Sequence, residues 1–220
     1  MEAFKNGDVL LAWFGGVSGV GARLAVPGAR AIAQGRVDPR FATYFIAHED
    51  LGLGFSSAFP LALRGRTFTF GARGSTSGRL MPEHFLQQAK GQGPEGCFGP
   101  PPRYTTGHDQ TALQVQSGSV SAGALNFKTY ERMLAEGTLD PTVCRHIWTT
   151  PPYADYNWTA HPALDKLHGQ GFVERLQAAL VAIDDPAVLK ALDRTEGLVP
   201  ACNEDYAAIE AIMRQTGLLR

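Results

Sequence analysis

At 220 residues the chain is long enough to bury a substantial core, either as one large domain or as two smaller lobes. Lys and Arg number 20 against 21 Asp and Glu, a formal charge of −1 with no basic run, which removes any bulk electrostatic case for nucleic acid or an acidic membrane surface. No apolar stretch approaches the ~20 residues of a membrane span.

Residues 1–5 read as the last turn of a helix closed by Asn6-Gly7, a common C-terminal stop. Residues 9–14 are almost all apolar, as expected of a parallel strand buried on both faces. Gly15 to Gly19 ends that strand and leads into a short helix over residues 20–25, stopped by Pro27-Gly28. The glycines Gly16, Gly19 and Gly21 do not make a dinucleotide loop: the helix is very short and the next acidic residue is Asp38. Further strands are predicted over residues 29–33 and 42–47.

The most informative stretch follows. Residues 67–70 (Thr-Phe-Thr-Phe) form a β-branched and aromatic strand, and Gly74 and Gly78 bracket Ser75-Thr76-Ser77 before a helix through Met81, Phe85 and Leu86. One hydroxyl at a helix start is explained by capping of a free backbone N–H. Three in a row, between glycines that let the backbone come close, point to an oxyanion seated where the helix offers unpaired N–H donors and about half a positive charge. Capping alone stays open as the plainer alternative, and the spacing is not that of a P-loop.

Residues 90–103 are dense in Gly and Pro and are expected to be a surface loop. Gly107-His108-Asp109 opens a helix that continues over residues 110–116. His108 there is a candidate imidazole donor for the anion, or an ordinary satisfied histidine; as an imidazolium below pH ~6.5 it would add charge to the site. A Ser75–His108–Asp hydrolytic triad is conceivable, but the Gly-x-Ser-x-Gly elbow is missing. A strand over 121–125, Asn126, a helix over 130–136, a strand over 144–149 and Pro151-Pro152 come next, and helices are predicted over 172–183 and 206–215. Strands alternating with helices imply a doubly wound α/β architecture with parallel strands. Tyr153, Asp155, Tyr156 and Trp158 read equally as the lining of a ligand cleft or as a lobe interface. His48, His146 and His161 lack metal-ligand spacing, so no metal and no cofactor is expected. Cys97, Cys144 and Cys202 allow at most one disulfide.

Taken together, the string Asn6-Gly7-Asp8 through Trp13-Phe14-Gly15-Gly16, the Ser75-Thr76-Ser77-Gly78 loop, Gly107-His108-Asp109, Trp148 with Pro151, and the ending Val199-Pro200-Ala201 with Asp205-Tyr206 and Ile209-Glu210 resembles one family. That family is the phosphonate/phosphite-type periplasmic substrate-binding proteins of ABC transporters, in particular the subgroup labelled selenate-binding. The resemblance implies a two-lobe periplasmic-binding-protein-like (type II) α/β fold. Residues 1–44 would begin lobe one, residues 45–150 would form lobe two, and residues 151–220 would return to lobe one.

It also implies a non-enzymatic protein that closes on a small tetrahedral oxyanion and delivers it to a membrane permease, acting as a periplasmic monomer without nucleic acid. Carried over by position, Ser75, Thr76, Ser77 and His108 would hold the oxyanion. Phe14, Asn126, Tyr153 and Asp155 would complete the ligand set. No carboxylate stands at residues 126–128, where aminophosphonate binders have one, which favours a simpler anion. Family members begin with a signal peptide, a strand and a helix before the Asn-Gly-Asp turn, so either a misassigned start or an N-terminal truncation that leaves lobe one incomplete is expected. A ligand-sensing regulatory domain of similar fold, or a hydrolase, are the alternatives.

Overall fold

In a computed structural model, which describes residues 1–91 and 93–219, the elements run α1 (Glu2–Lys5), β1 (Leu11–Phe14), α2 (Gly16–Ala25), β2 (Arg30–Gly35), β3 (Thr43–His48) and β4 (Phe68–Phe70). A π-helical turn (Thr76–Leu80) then runs into α3 (Met81–Lys90), followed by α4 (Pro94–Cys97), β5 (Arg103–Tyr104), α5 (His108–Gln116), β6 (Ala122–Asn126), α6 (Phe127–Ala135) and β7 (Cys144–Thr149). The chain ends with β8 (Asn157–Ala160), α7 (Ala163–His168), α8 (Phe172–Val181), α9 (Pro186–Ala191), β9 (Leu198–Pro200) and α10 (Ala207–Gln215). It divides into two compact units, one of Met1–Phe41 with Pro152–Arg220 and one of Ala42–Pro151.

In the first unit the strand order is β1-β8-β2-β9, and every paired neighbour is antiparallel. The parallel strand expected over residues 9–14 is therefore corrected. Leu11–Phe14 is half-buried and pairs antiparallel with β8, from Leu11 opposite Ala160 to Phe14 opposite Asn157. The reason is the return of the chain: β8 re-enters the first unit after the whole second unit and lies between β1 and β2, so β1 never pairs with a sequence neighbour through a strand–helix–strand crossover, the connection that parallel pairing requires. Alternation along β1 is kept, since Ala12 and Phe14 pack with Phe4, Ala22 and Val26, whereas Leu11 packs with Ile32, Leu164 and Val173. The helix after β1 starts at Gly16, earlier than predicted.

The second unit has the order β5-β4-β6-β3-β7. Here β4 runs parallel to β5 and β6, while β3 is antiparallel to β6 and β7, so this sheet is mixed. Phe45 and Ala47 of β3 face one cluster, with Phe68, Phe70 and Ile147, and Ile46 faces another, with Val115, Leu125 and Tyr130. The loop predicted over 90–103 is only partly a surface loop. Cys97 and Phe98 are buried, and the Phe98 ring stacks on Phe68 at 4.3 Å. Burying such a ring stabilises by about 2 kcal/mol, enough to hold a Gly- and Pro-rich segment down. Gln92, within that predicted loop, lies outside the described residues. All three cysteines are free thiols, Cys97 and Cys144 buried and Cys202 exposed.

Candidate anion site

The site grows out of β4. Phe68 and Phe70 are anchored in the aromatic core, so the chain leaves the sheet at Gly71 from a fixed point. Gly71 N–H donates to the Gly78 carbonyl at 2.7 Å, and a Cβ on Gly78 would lie 2.9 Å from Gly71 Cα. The close approach that lets the loop fold back thus needs glycine at 71 and 78. The expectation that Gly74 serves this purpose is not met, since a Cβ there would touch nothing within 4 Å.

Between them the Ser75 N–H closes a turn on the Ala72 carbonyl, and Ser75 Oγ caps the helix by accepting Gly78 N–H at 2.9 Å. The first turn is wound in π register, with Leu80 N–H donating to Ser75 O and Met81 N–H to Thr76 O. Such widened turns occur frequently at functional positions. Thr76, Ser77 and Gly78 are buried, and Ser75 is partly so.

His108 enters from α5. Thr105, just before it, ties this segment to β4: its N–H donates to Phe70 O, and its hydroxyl reaches Phe70 O, Gly107 O and Thr111 Oγ1. The ring lies against Gly78, with Nε2 3.5 Å from Ser77 Oγ and Nδ1 accepting the Asn126 backbone N–H at 3.3 Å. Because Nδ1 accepts, the ring proton sits on Nε2, which points its N–H toward Ser77. Burial pushes the imidazole down to about 4, against the opposing pull of the Asp109 charge. The expectation of an imidazolium at pH ~6.5 is thereby corrected: the donor here is neutral. The same bond removes the hydrolytic triad, whose histidine must donate from Nδ1 to a carboxylate.

Asn126 joins the group through its backbone, while its side-chain oxygen caps α6 by accepting Thr129 N–H at 2.7 Å. Arg79, one turn into the helix, is paired with Glu83 and lies over the Phe70 and Tyr104 rings. Ser75 Oγ accepts from Gly78 N–H, which leaves the Ser75 O–H able to donate. Chemically this is a cluster of uncharged donors at a helix start. Among the described residues no group of His, Cys, Asp and Glu is arranged to hold a metal ion.

The structure places Phe14, Tyr153 and Asp155 in the first unit. The Phe14 ring meets Phe4 edge-on at 5.4 Å, and Tyr153 exchanges both backbone hydrogen bonds with Phe41. Asp155 is 1% exposed, and its Oδ1 accepts Gly16 N–H at 2.7 Å, so a carboxylate closes the start of α2. Sequence reasoning did not find Thr43, whose hydroxyl donates to the Ser77 carbonyl at 2.9 Å, or the buried ion pair of Asp38 and Arg194 at 2.7 Å. The lone buried-strand Thr at position 43 carried no motif that could have flagged it.

The family model of the ABC-transporter phosphonate periplasmic substrate-binding proteins matches residues 1–206. The chain belongs to that family. Over 226 aligned residues it is 35% identical to the probable ABC transporter phosphite-binding protein PhnD1 of Prochlorococcus marinus (strain MIT 9301), covering all of this chain and 76% of that protein. The solved structure of that PhnD1 in complex with methylphosphonate superposes with a TM-score of 0.89 at 34% identity, over 99% of this chain and 82% of the other. A binding-protein component of an ABC phosphonate transporter from Pseudomonas aeruginosa shares the fold at a TM-score of 0.75 and 18% identity, over 96% and 70% of the two chains.

As a phosphonate-type substrate-binding protein the chain is a solute-capturing component of an ABC transporter and not an enzyme. The family implies a small ligand and a membrane permease as partners, and a periplasmic setting. No helix among the described residues is long and apolar enough to cross a membrane.

Proposed function

We propose that this protein captures a small tetrahedral oxyanion of the phosphite or methylphosphonate class, seated on Ser75, Thr76, Ser77 and the Nε2–H of His108. The observation that carries this reading is the hydroxyl-capped start of the π-helical turn with a neutral imidazole beside it. Uncharged donors of fixed direction suit a desolvated anion, because each hydrogen bond to a charged group contributes ~1.5–3 kcal/mol and no protein cation has to be buried with it. The ligands named for the PhnD1 relative support the same class. The two compact units are read as the two lobes of the family fold. Phe14, Tyr153 and Asp155 are read as the ligand set of the first lobe, with Asp155 also closing α2. The protein acts as a monomer that passes its anion to a permease, and its charge of −1 gives nucleic acid no purchase.

Calorimetric titration with methylphosphonate, phosphite, phosphate, sulfate and selenate tests the assignment. A 1:1 complex, tightest with phosphite or methylphosphonate, is expected. No heat with any of the five would overturn it.

A further inference from the structure

The π register of the loop has a local cost. Leu80 N–H goes to Ser75 O and Met81 N–H to Thr76 O, so the next donor in that register, for Ser77 O, would be residue 82. Residue 82 is Pro, which has no N–H. The Ser77 peptide lies at the centre of the hydroxyl cluster and its residue is 1% exposed, so water does not readily replace the missing donor. The replacement comes from β3, 34 positions earlier: Thr43, fully buried, donates its hydroxyl to Ser77 O at 2.9 Å. Thr43 is itself held on both backbone sides by Thr150, whose Oγ1 accepts Thr43 N–H at 3.0 Å and whose N–H donates to Thr43 O at 3.0 Å. Both threonines lie within two residues of the points where the chain passes from one unit to the other.

We propose that Thr43 is a positioning residue for oxyanion binding. Its hydroxyl fixes the Ser77 peptide plane, and with it the Ser77 side chain and the Gly78 N–H that orients Ser75. Thr43 touches the loop carbonyl and not the anion; the assignment rests on the reading of Ser75–Ser77 as the anion seat. It makes the loop geometry depend on β3, the first strand of the second unit.

The test uses Thr43→Val, which keeps the shape and removes the donor, with methylphosphonate as the titrant. Thr43→Val is expected to weaken binding about 3- to 10-fold, and Thr43→Ser to stay within about 2-fold of the parent. Pro82→Ala gives the Ser77 carbonyl a backbone donor again, so in that background Thr43→Val is expected to change affinity less than about 2-fold. An equal loss in both backgrounds, or no loss in the parent, overturns the proposal. Should Thr43→Val alone not fold, recovery of folding in the Thr43→Val/Pro82→Ala protein supports it, and failure there overturns it. Failure of the underlying reading is seen separately, as unchanged binding when Ser75, Thr76 and Ser77 are all replaced by Ala.

Discussion

Two helix starts in this protein solve the same problem in opposite ways. In the first unit α2 begins at Gly16, whose N–H is met by the Asp155 carboxylate, contributed from 139 positions away. In the second unit the helical turn at Thr76 is met by Ser75 Oγ and faced by a neutral imidazole. Both satisfy free N–H donors, but only the first adds a full negative charge to the positive end of the helix. A carboxylate neutralises that end, whereas hydroxyls leave its field available to an anion from outside. Two helix starts of the same kind therefore differ in the charge they present, through one side chain.

The comparison is broken most sharply by making the second start resemble the first. Ser75→Asp retains a good capping residue, so stability in urea should change by less than about 1 kcal/mol. Affinity for methylphosphonate should nevertheless fall by more than about 100-fold, since a fixed carboxylate then occupies the place of the ligand charge. Retained affinity would mean that the ligand does not sit at this helix start.

The neutral histidine offers the next test. With the folded-state value lowered to about 4, the native protein disfavours protonation relative to the unfolded chain, whose histidine titrates near 6.5. The associated stability is present in full above pH ~6.5 and is lost as pH falls from there toward ~4, by up to about 3 kcal/mol. Urea unfolding of the parent and of His108→Gln across that range should show the slope in the parent and a clearly smaller one in the variant. Identical slopes would mean that His108 is not held neutral.

A smaller effect is expected at the first start. Asp155→Ala leaves Gly16 N–H without its carboxylate and should cost about 1–2 kcal/mol of stability. A change near zero in the urea midpoint would show that the carboxylate contributes nothing to α2.

Sequence and structure agree where the cause is local. The hydroxyl run at Ser75–Ser77, the helix opening at Gly107-His108, and the strand Cys144–Thr149 all depend on propensities within a few residues. They diverge where a distant partner decides. Residues 157–160, with buried Asn157 and Thr159, are assigned no strand from the sequence and become β8 because two strands far earlier in the chain offer edges on either side. The aromatic and acidic cluster at 153–158 was ambiguous for the same reason, its carboxylate being claimed by Gly16. Pro82 announces a missing donor, but nothing near it in the sequence says that Thr43 supplies one. The charge state of His108 depends on burial and on an N–H from Asn126, neither of which a residue type encodes.

The most direct measurement is calorimetric titration of methylphosphonate into the protein with Ser75, Thr76 and Ser77 all replaced by Ala, alongside its urea unfolding curve. Loss of three hydroxyl donors, each contributing ~1.5–3 kcal/mol to an ionic ligand, should abolish measurable binding, while loss of the Ser75 cap lowers stability by only about 1 kcal/mol. A folded triple variant that binds methylphosphonate with the affinity of the parent would contradict the account, and would leave this loop as a helix cap.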